Sequence, residues 1–208
     1  MAQLNLWVGD VDGNVDKMVK AAIEARETHQ ADLVVFPELA VLGYPPDDLL
    51  LRRGLPQKVK DGLTRIRREV AGICVIVGYP EYTEKGIFNA ADVYLGDKRL
   101  AKYRKQKLPN YGVFDEERHF AQGDKTCVFE LAGLTVGLTI CEDIWEPGPT
   151  ADVAKAGASL LVNINASPFH ETKHALRNEI LAERAKETGL SIVYVNCVGG
   201  QDELVFDG

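Results

Sequence analysis

Apolar residues recur along this chain with two periods, and the changes of period mark its elements. Val15 to His29 places Val15, Met18, Val19, Ala22 and Ile23 on one helical face, which predicts an amphipathic helix. Before it, Gln3 to Val8 alternates and predicts an opening strand, broken at Gly13-Asn14. Asp32 to Phe36 and Cys74 to Gly78 are short β-branched runs and predict buried strands. Between them, Leu49 to Glu69 carries helical patterns interrupted near Gly54-Leu55-Pro56. Phe88 to Leu95 alternates toward a turn at Gly96-Asp97, and Leu100 to Arg104 returns as its hairpin partner. Thr126 to Leu131 and Leu134 to Ile140 predict a second hairpin around Ala132-Gly133. A helix over Thr150 to Ala156, a strand over Ser159 to Asn165 and a helix over Thr172 to Thr188 follow, the last ended by Gly189. Ser191 to Asn196 is a strand, and Glu203 to Phe206 starts one more. Strands joined by helices alternate with strands joined by tight turns, so mixed sheets and an α/β class are expected.

One stretch fits neither period. Lys105 to Gln122 contains Pro109, Gly112, several charges and aromatics, and reads as a long loop. Such loops in compact domains are commonly functional. The chain has 208 residues, 46% hydrophobic and 26% charged, an ordinary globular composition with room for one domain over 1–208. A net charge of −7 argues against nucleic acid as a partner. No apolar run reaches the roughly 20 residues of a membrane span, so no membrane partner is expected. The N-terminus has no basic region before an apolar run, so no secretory signal is read and a cytoplasmic location is expected. The four cysteines, 74, 127, 141 and 197, are then expected to be reduced, and their spacings match no zinc pattern. The chain stops at Phe206-Asp207-Gly208 with no closing helix, which suggests a piece of a longer protein, truncated at its C-terminus.

Candidate chemistry gathers at strand ends. Leu134 to Ile140 is an apolar run that stops at Cys141-Glu142-Asp143-Ile144-Trp145, and Pro147-Gly148-Pro149 then forbids its continuation. A cysteine there is either a packed small hydrophobe or a nucleophile where α/β proteins place chemistry. Glu142 and Asp143 would raise its thiol pKa, so a nucleophile would need a base and a cation. Glu38, after Phe36-Pro37, is a solvated loop residue or a pocket base. Tyr103-Arg104-Lys105-Gln106-Lys107 is a solvated face or supplies one inward lysine. Ser167-Pro168 follows a strand, where the hydroxyl caps the next helix or lines a pocket. His170-Glu171-Thr172-Lys173-His174 matches H-E-x-x-H. It straddles a predicted helix start, no histidine follows, and it reads as a chance match, so no metal is expected. Neither a G-x-x-x-x-G-K-[ST] nor a G-x-G-x-x-G pattern occurs.

Taken in order, Phe36-Pro37-Glu38, Tyr103-Arg104-Lys105 and Cys141-Glu142-Asp143-Ile144-Trp145 resemble the nitrilase (carbon–nitrogen hydrolase) superfamily. Gly43-Tyr44-Pro45-Pro46-Asp47-Asp48 and Lys105 through Glu116 resemble one branch, the glutaminase domains of glutamine-dependent NAD+ synthetases. The resemblance implies a four-layer α-β-β-α sandwich and a triad of Glu38 as base, Lys105, and Cys141 as nucleophile. It implies glutamine-binding positions at Tyr111, Ser167 and Lys173, a second carboxylate at Glu116, and a role for the backbone N–H of Glu142. It further implies homo-oligomers and no cofactor in this domain. In that branch a following synthetase domain, absent from this chain, uses ATP and Mg2+ to amidate deamido-NAD+. A free-standing amidase or carbamoylase, and a non-catalytic scaffold of the same fold, are the alternatives.

Overall fold

Alternation along the strands sends one set of side chains between two sheets and the other set under helices. The computed structural model describes residues 1–208. The first sheet has the spatial order β1 (Leu33–Val35), β2 (Cys74–Thr83), β3 (Gly86–Leu95), β4 (Lys98–Arg104). Its first pair is parallel and the others antiparallel. The second has the order β5 (Val128–Leu131), β6 (Leu134–Ile140), β7 (Leu160–Ile164), β8 (Ser191–Val195). It pairs antiparallel once and then parallel.

The layers follow from burial. Ile76, Val93 and Tyr103 of the first sheet share one apolar cluster with Val136, Leu138 and Val162 of the second, so the two sheets pack face to face. Val75 and Val77, which point the other way, pack with Met18 of α1 (Val11–Glu27) and Ile66 of α2 (Leu55–Glu69). On the far side, Leu161 packs with Val153 of α4 (Pro149–Lys155) and Leu181 of α5 (Lys173–Thr188). The result is the expected α-β-β-α sandwich with mixed sheets.

Several local expectations are corrected. Gln3 to Val8 joins neither ladder. The buried Asn14 side chain replaces ladder bonds there, accepting from Trp7 N at 2.8 Å and donating to Trp7 O at 2.8 Å. Gly13-Asn14 does not break a strand but lies in the first turn of α1, which Asp10 caps by accepting from Gly13 N at 3.1 Å. The loop from Lys105 contains a single helical turn, α3 (Glu116–His119). The last strand is one arm of a hairpin, β9 (Val198–Gln201) with β10 (Leu204–Asp207). Gly199-Gly200 hid the first arm, because glycine carries no strand signal.

One glycine sets the geometry that matters for chemistry. A Cβ on Gly78 of β2 would lie 2.6 Å from Leu39 N and 2.7 Å from Pro37 O, so only glycine lets the Pro37–Leu39 segment rest on this strand. Gly78→Ala is expected to destabilise the fold by about 1–3 kcal/mol through overpacking and to displace Glu38; urea unfolding of the variant measures the first effect.

Candidate active site

Strand ends from both sheets converge at one edge of the sandwich, and each delivers a polar group there. Phe36-Pro37 follow β1, Leu39 takes a positive φ of 49°, and Glu38 between them is buried. Lys105 directly follows β4, Cys141 follows β6, and Ala166-Ser167 lie just beyond β7. Glu38, Lys105 and Glu116 are 1%, 1% and 4% exposed. Lys105 Nζ donates to Glu38 Oε1 at 2.7 Å and to Glu116 Oε1 at 2.9 Å. Glu38 is further held by Asn89 Nδ2 at 2.7 Å on Oε1 and by Ala166 N at 2.9 Å on Oε2. Tyr44 OH donates to Glu116 Oε1 at 2.9 Å, while Glu116 Oε2 is buried with no protein partner.

Burial lowers the Lys105 ammonium pKa, but Glu116 and Glu38 outweigh this and hold it well above its ordinary value. Glu116 moves the other way: burial raises it, Lys105 opposes, and Glu38 raises it again. Cys141 is buried, and its backbone is strained at φ 47°, in the region that non-glycine residues rarely adopt. Burial first, then Glu38, pushes its thiol well above the ordinary value; Lys105 opposes, and Glu116 and Glu142 add. These influences favour a neutral thiol beside a charged ammonium. Sequence alone assigned the unfavourable field to Glu142 and Asp143. Burial and Glu38 dominate it, and Asp143 is turned back into its own hydrogen bonds, accepting from Tyr103 OH at 2.8 Å and Lys107 N at 2.8 Å.

Of the other expected residues, Tyr111 and Glu142 lie together at a cavity. Tyr111 OH donates to Glu142 Oε1 at 2.9 Å. The cavity, of about 500 Å³, is lined also by Lys107, Pro109 and Glu146. Lys173 does not join the buried carboxylates. Its Nζ lies 4.1 Å from the centre of the Trp145 ring, an arrangement that cation–π attraction favours. Ser167 caps no helix, because α5 begins at Lys173 with Thr172 as its cap. It is buried, its N–H donates to Asn196 Oδ1 at 2.8 Å, and its carbonyl accepts from Arg177 Nη2 at 2.8 Å. His170 and His174 are exposed, and no group of three or more His, Cys, Asp or Glu is placed to hold a metal ion.

Sequence reading missed Asn89, Tyr44 and the Ala166 N–H as parts of the site, and misread the role of Asp143. Asn89 carried a usable signal, an amide between Phe88 and Ala90 in a strand otherwise buried there. The Ala166 N–H carried none.

The site is thus a buried Glu–Lys–Glu cluster beside a strand-end cysteine, at one edge of two mixed sheets flanked by helices. The chain belongs to the carbon–nitrogen hydrolase family, which matches residues 1–208. It is 47% identical over its whole length to the glutamine-dependent NAD(+) synthetase of Xanthomonas campestris pv. campestris, and 43% identical to that of Aquifex aeolicus. It spans 38% and 37% of the lengths of those two relatives. Among solved structures it superimposes on the glutamine-dependent NAD+ synthetase of Acinetobacter baumannii in complex with ADP, with a TM-score of 0.96 at 40% identity. That match covers all of this chain and 39% of that one. An amidase from Nesterenkonia sp. AN1, captured after Michael addition of acrylamide at its active-site cysteine, superimposes with a TM-score of 0.88 at 28% identity. Here the match covers 99% of this chain and 80% of that one.

Removing the cation tests the cluster. Lys105→Met leaves two carboxylates buried together without compensation, which typically costs about 3–5 kcal/mol. Glu116 is already raised in the folded state, and losing Lys105 raises it further. A carboxylate raised on folding binds extra protons in the folded state, so stability falls as pH rises through the unfolded value, roughly 4.3 for Glu. The loss in Lys105→Met is thus expected to be small below that pH and to grow above it, as read from denaturant unfolding across a pH series.

Proposed function

We propose that this chain is the glutaminase part of a glutamine-dependent NAD+ synthetase, hydrolysing the side-chain amide of L-glutamine through a Cys141 thioester. The observation that carries the reading is Lys105 Nζ held 2.7 Å from Glu38 Oε1 beside a buried, strained Cys141. The relatives named above support the branch.

In this mechanism Glu38 takes the Cys141 thiol proton as sulfur attacks the amide carbon. Lys105 has three N–H donors; two hold Glu38 and Glu116, and the third meets the developing oxyanion together with the backbone N–H of Glu142. Losing one such donor typically costs about 10²–10³ in rate. Glu38 returns its proton to the departing nitrogen, the C–N bond breaks, and ammonia leaves a thioester. Glu38 then takes a proton from water as the water attacks the thioester carbon. Glutamate departs, and the proton returns to the thiolate. The unpartnered Glu116 Oε2 is an acceptor for an amide N–H of the substrate. Tyr111, Ser167 and Lys173 are the proposed glutamine-binding positions. ATP and Mg2+ belong to the synthetase domain that would consume the ammonia, and no step here involves them. The whole protein is proposed to be a cytoplasmic homo-oligomer.

A second reading is a free-standing amidase with the same residues, which the likeness to the Nesterenkonia amidase favours. Turnover of glutamine against simple aliphatic amides by the full-length protein separates the two. Cys141→Ala is expected to abolish glutamine hydrolysis while circular dichroism and melting temperature stay near those of the parent. Glutamine turnover by that variant would remove Cys141 from the mechanism.

A further inference from the structure

Asp143 has no exposed surface, yet it is not among the groups that would meet substrate. Its carboxylate gathers four donors. Oδ1 accepts from the backbone N–H groups of Gln106 at 3.0 Å and Lys107 at 2.8 Å. Oδ2 accepts from Tyr103 OH at 2.8 Å and Ile140 N at 3.0 Å. These partners are not scattered. Ile140 is the residue before Cys141, while Tyr103, Gln106 and Lys107 bracket Lys105 on both sides. One buried carboxylate thus ties the end of β6, in the second sheet, to the end of β4, in the first.

Two features show why such a tie is needed. Cys141 sits at φ 47°, and a non-glycine residue in that region stores about 1–3 kcal/mol unless its surroundings hold it there. The Ile140–Asp143 bond closes the turn that does so. Lys105 leaves the ladder after Arg104; its N–H donates to Asn89 O at 2.8 Å and its carbonyl accepts from Gly123 N at 2.8 Å, and the next two residues are tied through their N–H groups to Asp143 alone among side chains. Burial alone would make this carboxylate costly; four donors are what keep it there.

We propose that Asp143 is a positioning residue, a cross-sheet clamp that fixes the Cys141 thiol relative to Lys105. It rests on the reading of those two as a reacting pair. The clamp acts on geometry, so its loss lowers the rate of chemistry and leaves substrate affinity nearly intact. Displacing a reacting group by about 1 Å can cost on the order of 10² in rate.

The test uses the full-length protein with Asp143→Asn and Tyr103→Phe. The first turns amide N–H groups toward donors; the second removes one hydroxyl and keeps the ring that fills the core. Two rates are measured per Cys141 thiol, counted by mass spectrometry of the alkylated peptide: kcat with glutamine and the rate of Cys141 alkylation by iodoacetamide. The clamp predicts a kcat lowered about 10²-fold in Asp143→Asn and about 10-fold in Tyr103→Phe, KM within about threefold, and alkylation slowed in parallel. A purely structural role would lower the melting temperature and leave both rates per thiol unchanged, which overturns the proposal. Should Asp143→Asn fail to fold, Tyr103→Phe decides. Should the parent protein not hydrolyse glutamine, the glutaminase reading fails, and the alkylation rates still decide the clamp.

Discussion

Everything at this site depends on one buried ammonium. Lys105 Nζ lies between two carboxylates with essentially no solvent contact. Ions cannot be buried singly; each needs opposite charge or donors close by. The single cation faces two acids, so the second acid is held up in pKa by burial and by Glu38, and the acceptors that Lys105 leaves over are met by hydrogen-bond donors. Asn89, Tyr44 and the Ala166 N–H are those donors. Neither Asn89 nor Tyr44 is interchangeable with an apolar residue of similar size, because each answers an acceptor that water cannot reach; Ala166 donates through its backbone.

Burial first, and then the same acids, explain the state of the nucleophile. A thiol among carboxylates, out of water, stays protonated at rest. Its reactivity must come from a proton transfer made during attack, not from a thiolate held in advance. That requirement places the burden on geometry. The backbone of Cys141, the Glu38 oxygens and the Lys105 ammonium must be held in register by elements from two different sheets. The polar ties across the sandwich, at Asp143 and at Ala166, supply that register, whereas the apolar core between the sheets supplies only proximity.

Much of this was legible in the chain. The strands and helices appear where the periods change, because each has one buried and one covered or solvated face. Glu38, Lys105 and Cys141 could be singled out because each lies at or within three residues of a strand end. What could not be read were the partners. Asn89 and Tyr44 meet the site only through pairing of β3 and folding of the connection after Leu42, and a one-dimensional pattern holds no record of such meetings. Asp143 was misread for a related reason. Its proximity in sequence to Cys141 suggested a charge acting on sulfur, but the tight turn after β6 sends the two side chains in different directions. The opening segment was misread as a ladder strand because alternation reports burial, not hydrogen-bond partners.

The bond from Ala166 N to Glu38 joins residues 128 positions apart, and this separation has a consequence for synthesis. The first sheet is complete once β4 has been made, but its inner face is covered only by strands that follow residue 127. A growing chain therefore presents Ile76, Val93 and Tyr103 without their covering layer, together with a half-built cluster of acids. Contacts this distant in sequence close slowly, and exposed sheet faces are the surfaces that aggregate and recruit chaperones. The arrangement that joins the two sheets at the site also makes its assembly wait for the second sheet. Appearance of a reactive Cys141 during synthesis would thus time the docking of one sheet onto the other.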